Sequence, residues 1–202
     1  MLFKSINLQW LIYLILFVGF AILIRISVMN ISLVASGSML PNHEVGSRII
    51  SNQLSWGLNI PWKPQQIMQW SSPQRGDVVL FKNPYDNDHI WMKRVIGLPG
   101  DRIQFHKHHL YVNHQRCSFP KRNKEHLPRG QKHFSPTYHI WSSYLEKDWG
   151  PIVVPVGAVF LMGDNRGDSI DSRVWGSIPI TYLTGKPVLR IWPLSNAAWL
   201  SE

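Results

Sequence analysis

From Ser5 to Ile24 the chain runs through 20 uncharged residues rich in Leu, Ile and Phe, closed off by Lys4 and Arg25. At about 1.5 Å per residue such a run makes a helix roughly 30 Å long, the thickness of a bilayer's hydrocarbon core. A cleaved secretory signal is the rival, with Lys4 at its start and Val34-Ala35-Ser36 as a small-residue cleavage site. The apolar core of such a signal is ordinarily only about 7–15 residues, so the pattern predicts a retained anchor over residues 5–25 behind a short tail at 1–4. Lys4 and the amino terminus on one side balance Arg25 on the other, and charge alone leaves the orientation open.

After the anchor the pattern changes from a continuous apolar stretch to short β-rich runs. Asp77-Val78-Val79-Leu80-Phe81, Arg102-Ile103-Gln104-Phe105 and Ala158-Val159-Phe160-Leu161-Met162 are separated by Gly, Pro and Asp at turn spacing. Few segments carry a helical period. The expectation is a mainly β domain over 26–202 preceded by one transmembrane helix, without internal repeats, and long enough at about 175 residues for one substantial core or two small subdomains.

The net charge of +9 is unevenly spread, for residues 105–150 hold eight Lys or Arg, three acids and seven of the nine histidines. Attraction to nucleic acid or to anionic lipid headgroups are the specific readings of such a stretch. The general one, a solvated β-rich insertion or extension with a basic face, is the one adopted, and no nucleic-acid partner is expected. His106, His108, His109 and His114 lack metal-site spacing, and strand alternation sends His108 and His109 to opposite faces, so no metal or other cofactor is expected either. Cys117 is the sole cysteine and has no partner for an intramolecular disulfide.

Three islands carry candidate chemistry. In Ser36-Gly37-Ser38-Met39-Leu40-Pro41, Gly37 permits a tight backbone and Pro41 fixes the exit, which would hold the Ser38 hydroxyl out from the loop. By itself it also reads as an ordinary turn. In Trp91-Met92-Lys93-Arg94-Val95-Ile96-Gly97-Leu98-Pro99-Gly100-Asp101, Lys93 sits in an apolar, strand-like setting. A lysine works as a general base only when neutral, and burial beside Met92 and Val95 would favour that form; the alternative is a side chain that snorkels to solvent. The third, Gly163 to Gly176, is a loop rich in Gly, Asp, Asn and Ser that follows an apolar run. Its acids do not have the spacing of an EF-hand calcium loop.

In this order, behind a membrane segment, these islands resemble those of bacterial type I signal peptidases. The likeness takes in the Ser36–Pro41 hexapeptide, Arg75-Gly76-Asp77-Val78-Val79, the stretch from Lys93 to Asp101 and the loop from Gly163 to Arg173, while Leu54 to Pro61 resembles the family's aromatic-Gly segment. It implies a Ser/Lys dyad, with Ser38 as nucleophile and Lys93 as general base, and with Ser169 orienting the lysine. The Ser38 N–H and the Ser36 hydroxyl would meet the oxyanion. Asp171 and Arg173 would brace the site, and Val34, Met39 and Met92 would line pockets for small residues at −1 and −3. The implied activity is removal of N-terminal signal peptides from exported preproteins at the inner, cytoplasmic membrane, by a single-pass enzyme whose catalytic domain faces outward. Its partners would be preproteins and membrane lipids. Ala35 departs from the proline common before the first motif serine, and the stretch from Phe105 to Gly150 matches no family motif.

Three other readings use the same residues differently: a peptidase dedicated to a conjugation or pilin-assembly precursor, a self-cleaving Ser/Lys repressor, or a non-catalytic, membrane-tethered basic binding module. The anchor and the lack of a DNA-binding helix pair argue against the repressor. The joint presence of Ser38, Lys93 and Ser169 argues against the binding module.

Overall fold

The computed structural model describes residues 8–58, 66–84, 86–107, 109–117 and 148–200. Its first element is the helix α1 (Leu8–Val28), and every described side chain from Leu8 to Ala21 is exposed. Among the described residues no helix is long and apolar enough to cross a membrane, and the anchor expected at 5–25 begins outside them.

The rest is mainly β, as the turn spacing predicts. The strands are β1 (Met29–Leu33), β2 (Arg48–Asn52), β3 (Gly57–Leu58), β4 (Met68–Gln69), β5 (Val78–Asn83), β6 (Asp86–Gly97), β7 (Arg102–His106), β8 (His109–Val112), β9 (Gln115–Arg116), β10 (Trp149–Val153), β11 (Ala158–Met162), β12 (Ile178–Pro179), β13 (Leu183–Trp192) and β14 (Ala198–Trp199). A four-residue helix, α2 (Ser172–Trp175), follows β11. An eight-stranded sheet has the order β1-β2-β13-β5-β6-β11-β12 with β14 added beside β13, and all its pairings are antiparallel. A smaller four-stranded sheet runs β10-β7-β8-β9. It frames the basic segment, of which residues 118–147 and His108 lie outside the described residues.

Two apolar cores match the two sheets. Phe81, Val79, Val95, Leu161 and Leu183 close the first together with Trp56. Ile96, Ile103, Val112 and Phe160 close the second. Trp56 is only 4% exposed and packed in this core. Trp70, by contrast, is half exposed and donates its indole N–H to Leu54 O at 2.9 Å, and Trp62 lies outside the described residues.

Strand β6 serves both cores. Arg94 pairs with both β5 and β11, Val95 and Gly97 pair with β11, and the stretch before Arg94 pairs with β5 alone. The run from Asp86 to Lys93 therefore keeps one edge open, as does β1 at the end of the sheet.

Candidate active site

Strand β1 delivers the chain into the loop Val34–Ser36, after which Gly37–Met39 form one turn of 3-10 helix. Ser38 lies on that turn, 7% exposed. Across from it, period-two alternation along β6 puts Trp91, Lys93 and Val95 on one face, and Lys93 pairs in register with Val79. The two elements bring Lys93 Nζ to 2.6 Å from Ser38 Oγ, and Ser36 Oγ stands 3.1 Å from Ser38 Oγ on the other side.

Lys93 is 2% exposed, with its Nζ 5.5 Å from the centre of the Trp91 ring. Burial pushes its ammonium down from 10.5 to about 8; Asp171 pulls it back up and Arg173 pushes it down again. Desolvation outweighs the carboxylates of Asp171, Asp164 and Asp168, each of which favours the ammonium. Asp171, fully buried, accepts Gly163 N–H at 3.0 Å, the Ser169 hydroxyl at 2.8 Å, and Arg173 Nε and Nη2 at 2.7 and 2.8 Å. The same carboxylate caps α2 through Arg173 N–H.

Ser169 thus donates to Asp171, a charged and stronger acceptor than a neutral amine, and no hydrogen bond joins it to Lys93 among the described residues. Its hydroxyl still stands close behind Ser38. A Cβ on Gly163 would collide with Ser169 Oγ and would lie 2.5 Å from the Ser38 carbonyl oxygen, so only glycine fits between them.

A second anchor, which the motifs did not point to, holds the Ser38 loop from below. Arg94, next to Lys93 but on the opposite face of β6, makes a two-pronged pair with Asp164 at 2.7 and 2.8 Å. Asp164 also accepts from Asn42 Nδ2 at 2.7 Å. Burial works to raise the Asp164 carboxyl, but these donors outweigh it and hold it below the usual carboxylate range. Asn165 adds two bonds to the Ser38 loop, from its backbone N–H to Ser38 O at 2.9 Å and from Nδ2 to Gly37 O at 3.1 Å. A cue for this anchor was present in the sequence: an arginine inside an apolar strand needs a buried partner.

Ser36, Ser38, Lys93, Val34, Met39 and Met92 all line one cavity of about 240 Å³ between the end of β1 and the open edge of β6. Ser169, Asp171 and Arg173 stand behind it and do not line it. Most of the wall is apolar, with Ala35, Ile49, Leu80 and Trp91 among its other residues, and Ser32 and His89 add polar groups. Chemically the arrangement is a hydroxyl beside an amine that is neutral in mildly alkaline solution, at the end of an apolar slot whose two rims carry unpaired strand backbone. The side chains offer no convergence of three His, Cys, Asp or Glu among the described residues.

The family model described as signal peptidase, peptidase S26, matches residues 7–192. Signal peptidase I of Pseudomonas aeruginosa is 33% identical over 183 residues, which take in 83% of this chain and 63% of that protein. Signal peptidase I of Bacillus caldolyticus is 33% identical over 178 residues, covering 87% of this chain and 86% of its own. The chain spans a little under two thirds of the length of the two Pseudomonas relatives, 63% of each. A solved signal peptidase I from Enterococcus faecalis V583 is 26% identical and aligns with 57% of this chain and 97% of its own, with a TM-score of 0.43.

Proposed function

The chain belongs to the signal peptidase family, peptidase S26, and we propose that it is a membrane-anchored serine endopeptidase that removes N-terminal signal peptides from exported preproteins. One observation carries this reading above the others: a buried lysine, pushed down to about 8, lies 2.6 Å from a serine hydroxyl at the end of an apolar slot. A non-catalytic binding module has no use for the cost of burying that amine.

The steps follow from the geometry. Neutral Lys93 takes the Ser38 proton as Oγ attacks the carbonyl carbon of the scissile bond. The Ser38 N–H and the Ser36 hydroxyl donate to the oxygen that becomes negative, where such donors lower the barrier most. The Lys93 ammonium then gives its proton to the departing amine, leaving an ester on Ser38. Water, deprotonated by Lys93, hydrolyses that ester and restores the serine. Asp171, Arg173 and Ser169 hold the wall behind the lysine, and Arg94, Asp164 and Asn165 hold the serine loop.

The substrate class follows from the slot. An extended chain can add its backbone hydrogen bonds to the open edges of β1 and β6 while alternate side chains drop into the cavity. Val34, Met39 and Met92 leave room there for Ala, Gly or Ser at −1 and −3. Membrane placement is supported by the 20-residue uncharged run Ser5–Ile24 and by the exposed apolar side chains of α1. The catalytic domain, residues 26–202, would then stand on the outer face of the cytoplasmic membrane, where exported chains emerge, with the small sheet and the basic stretch at 105–150 as an extension of it.

The test is cleavage of a purified preprotein with an Ala-x-Ala site by the full chain in detergent. Wild-type protein is expected to release the signal peptide, and Ser38→Ala and Lys93→Ala are each expected to lower the rate by at least about a thousandfold, since members of a dyad act as a unit. Retained turnover in Lys93→Ala, with its fold verified by circular dichroism, would overturn the mechanism.

A further inference from the structure

Beside the nucleophile sits a carboxylate that this mechanism does not use. Asp168 is exposed, and its backbone N–H closes a turn on Asn165 O at 2.9 Å. Asn165 is itself fastened to Gly37 O and Ser38 O, so the position of Asp168 relative to the nucleophile is fixed by hydrogen bonds. A methyl group built on Gly37 would lie 3.6 Å from Asp168 Oδ2. The carboxylate has no hydrogen-bond or ion-pair partner among the described residues. Its charge nonetheless reaches the dyad, being one of those that act on Lys93.

We propose that Asp168 selects for charge on the mature side of the scissile bond, favouring Lys or Arg and disfavouring Asp or Glu at the first two positions after the cut. The proposal rests on the peptidase reading and deepens it. Residues before the bond occupy the cavity between β1 and β6, whose lining does not include Asp168. The chain after the bond must leave Ser38 over a different rim, and the loop carrying Asp168 forms one against Gly37. A cation placed there gains an uncompensated carboxylate at short range, and an acid meets repulsion of the same size. Because the group is exposed, the effect is screened by salt.

The experiment uses synthetic peptides identical through an Ala-x-Ala site, with Lys, Ala or Glu at +1 and, in a second set, at +2. At low ionic strength the full chain is expected to cleave the Lys peptide of at least one set about fivefold faster than the Glu peptide, judged by kcat/KM. In Asp168→Asn that ratio should fall below about twofold, and in Asp168→Lys it should invert; about 0.5 M salt should flatten it in the wild type. A wild-type ratio near one, or a ratio unchanged in both variants, overturns the proposal. Binding of the same peptides to Ser38→Ala separates this failure from that of the peptidase reading. If the wild type cleaves none of the peptides, that reading falls, while a Lys-over-Glu difference in affinity that Asp168→Lys inverts still upholds the charge selection. Equal affinities for all three overturn it.

Discussion

The proposed dyad turns on where one amine is placed. Lys93 is 2% exposed and loses its proton near 8 in the folded protein, against 10.5 for an unburied lysine, and burial is the leading cause. Two consequences share this origin. The cleavage rate should climb as pH rises through about 8, with Ser38 losing its base below that point. Stability should climb over the window from about 8 to 10.5, because there the unfolded chain still holds a proton that the folded chain has released. The gain across the window is about 3 kcal/mol for this one group. Urea midpoints measured at both ends, in wild type and in Lys93→Met, check it: the difference between the two proteins should narrow or reverse as the pH rises. A constant difference would mean that Lys93 keeps its proton in the fold. The same residue shows how far sequence alone reached. That Lys93 lies in an apolar strand was legible from Met92, Val95 and Ile96 around it. That Ser169 would turn to Asp171 was not, because the choice depends on a carboxylate brought to it by the α2 cap.

At the scale of elements, the loop from Gly163 to Arg173 does what no single strand does, since it fastens β6, β11 and the nucleophile turn together. Asp171 is its centre, with every acceptor position taken and the Arg173 guanidinium 6% exposed beside it. Asp171→Ala leaves a buried guanidinium and a buried amide without their partner, at a cost of about 3–5 kcal/mol. Chemical denaturation should show that loss, and Arg173→Ala in the same background should cost little more, because the two residues act as a pair. Additive losses would argue against a shared brace. Strands β5, β7 and β11 were legible because their apolar runs are short and end in Gly, Pro or Asp. Strand β13 was not, although it pairs with β2, β5 and β14. Its sequence, Leu183 to Trp192, is broken by Gly185, Lys186, Pro187 and Arg190, and register shifts at those places let the strand bend from one neighbour to the next. That Arg94 needs a buried partner was legible, but that Asp164 is that partner was not, because the two are 70 residues apart in sequence and meet only when β11 lies against β6.

For the molecule as a whole, the outer face of the large sheet continues the chemistry of α1. Ile31, Ile50, Leu189 and Trp199 face one another across four adjacent strands, and Leu33, Arg48 and Trp192 form the next row. Of these, Ile31, Leu33, Trp192 and Trp199 are 51, 62, 52 and 75% exposed, an apolar surface that water does not favour. Because β1 begins at the residue after α1 ends, a bilayer that held the helix, as proposed, would lie within reach of this face. Tryptophans beside Arg48 suit the headgroup level, where the ring is half buried and a cation meets phosphate. Trp199→Lys should therefore lower cleavage of a preprotein reconstituted in the same vesicles by about fivefold, through lost local concentration of enzyme domain and substrate. Cleavage of a water-soluble peptide by that variant in detergent should change less than about twofold, since Trp199 lies outside the cavity lining. Equal loss on both substrates would assign Trp199 to the fold, and no loss on either would leave this face in water. Only loss confined to the membrane-bound substrate supports a sheet that rests on the bilayer and holds Ser38 at the height where the cleavage site emerges.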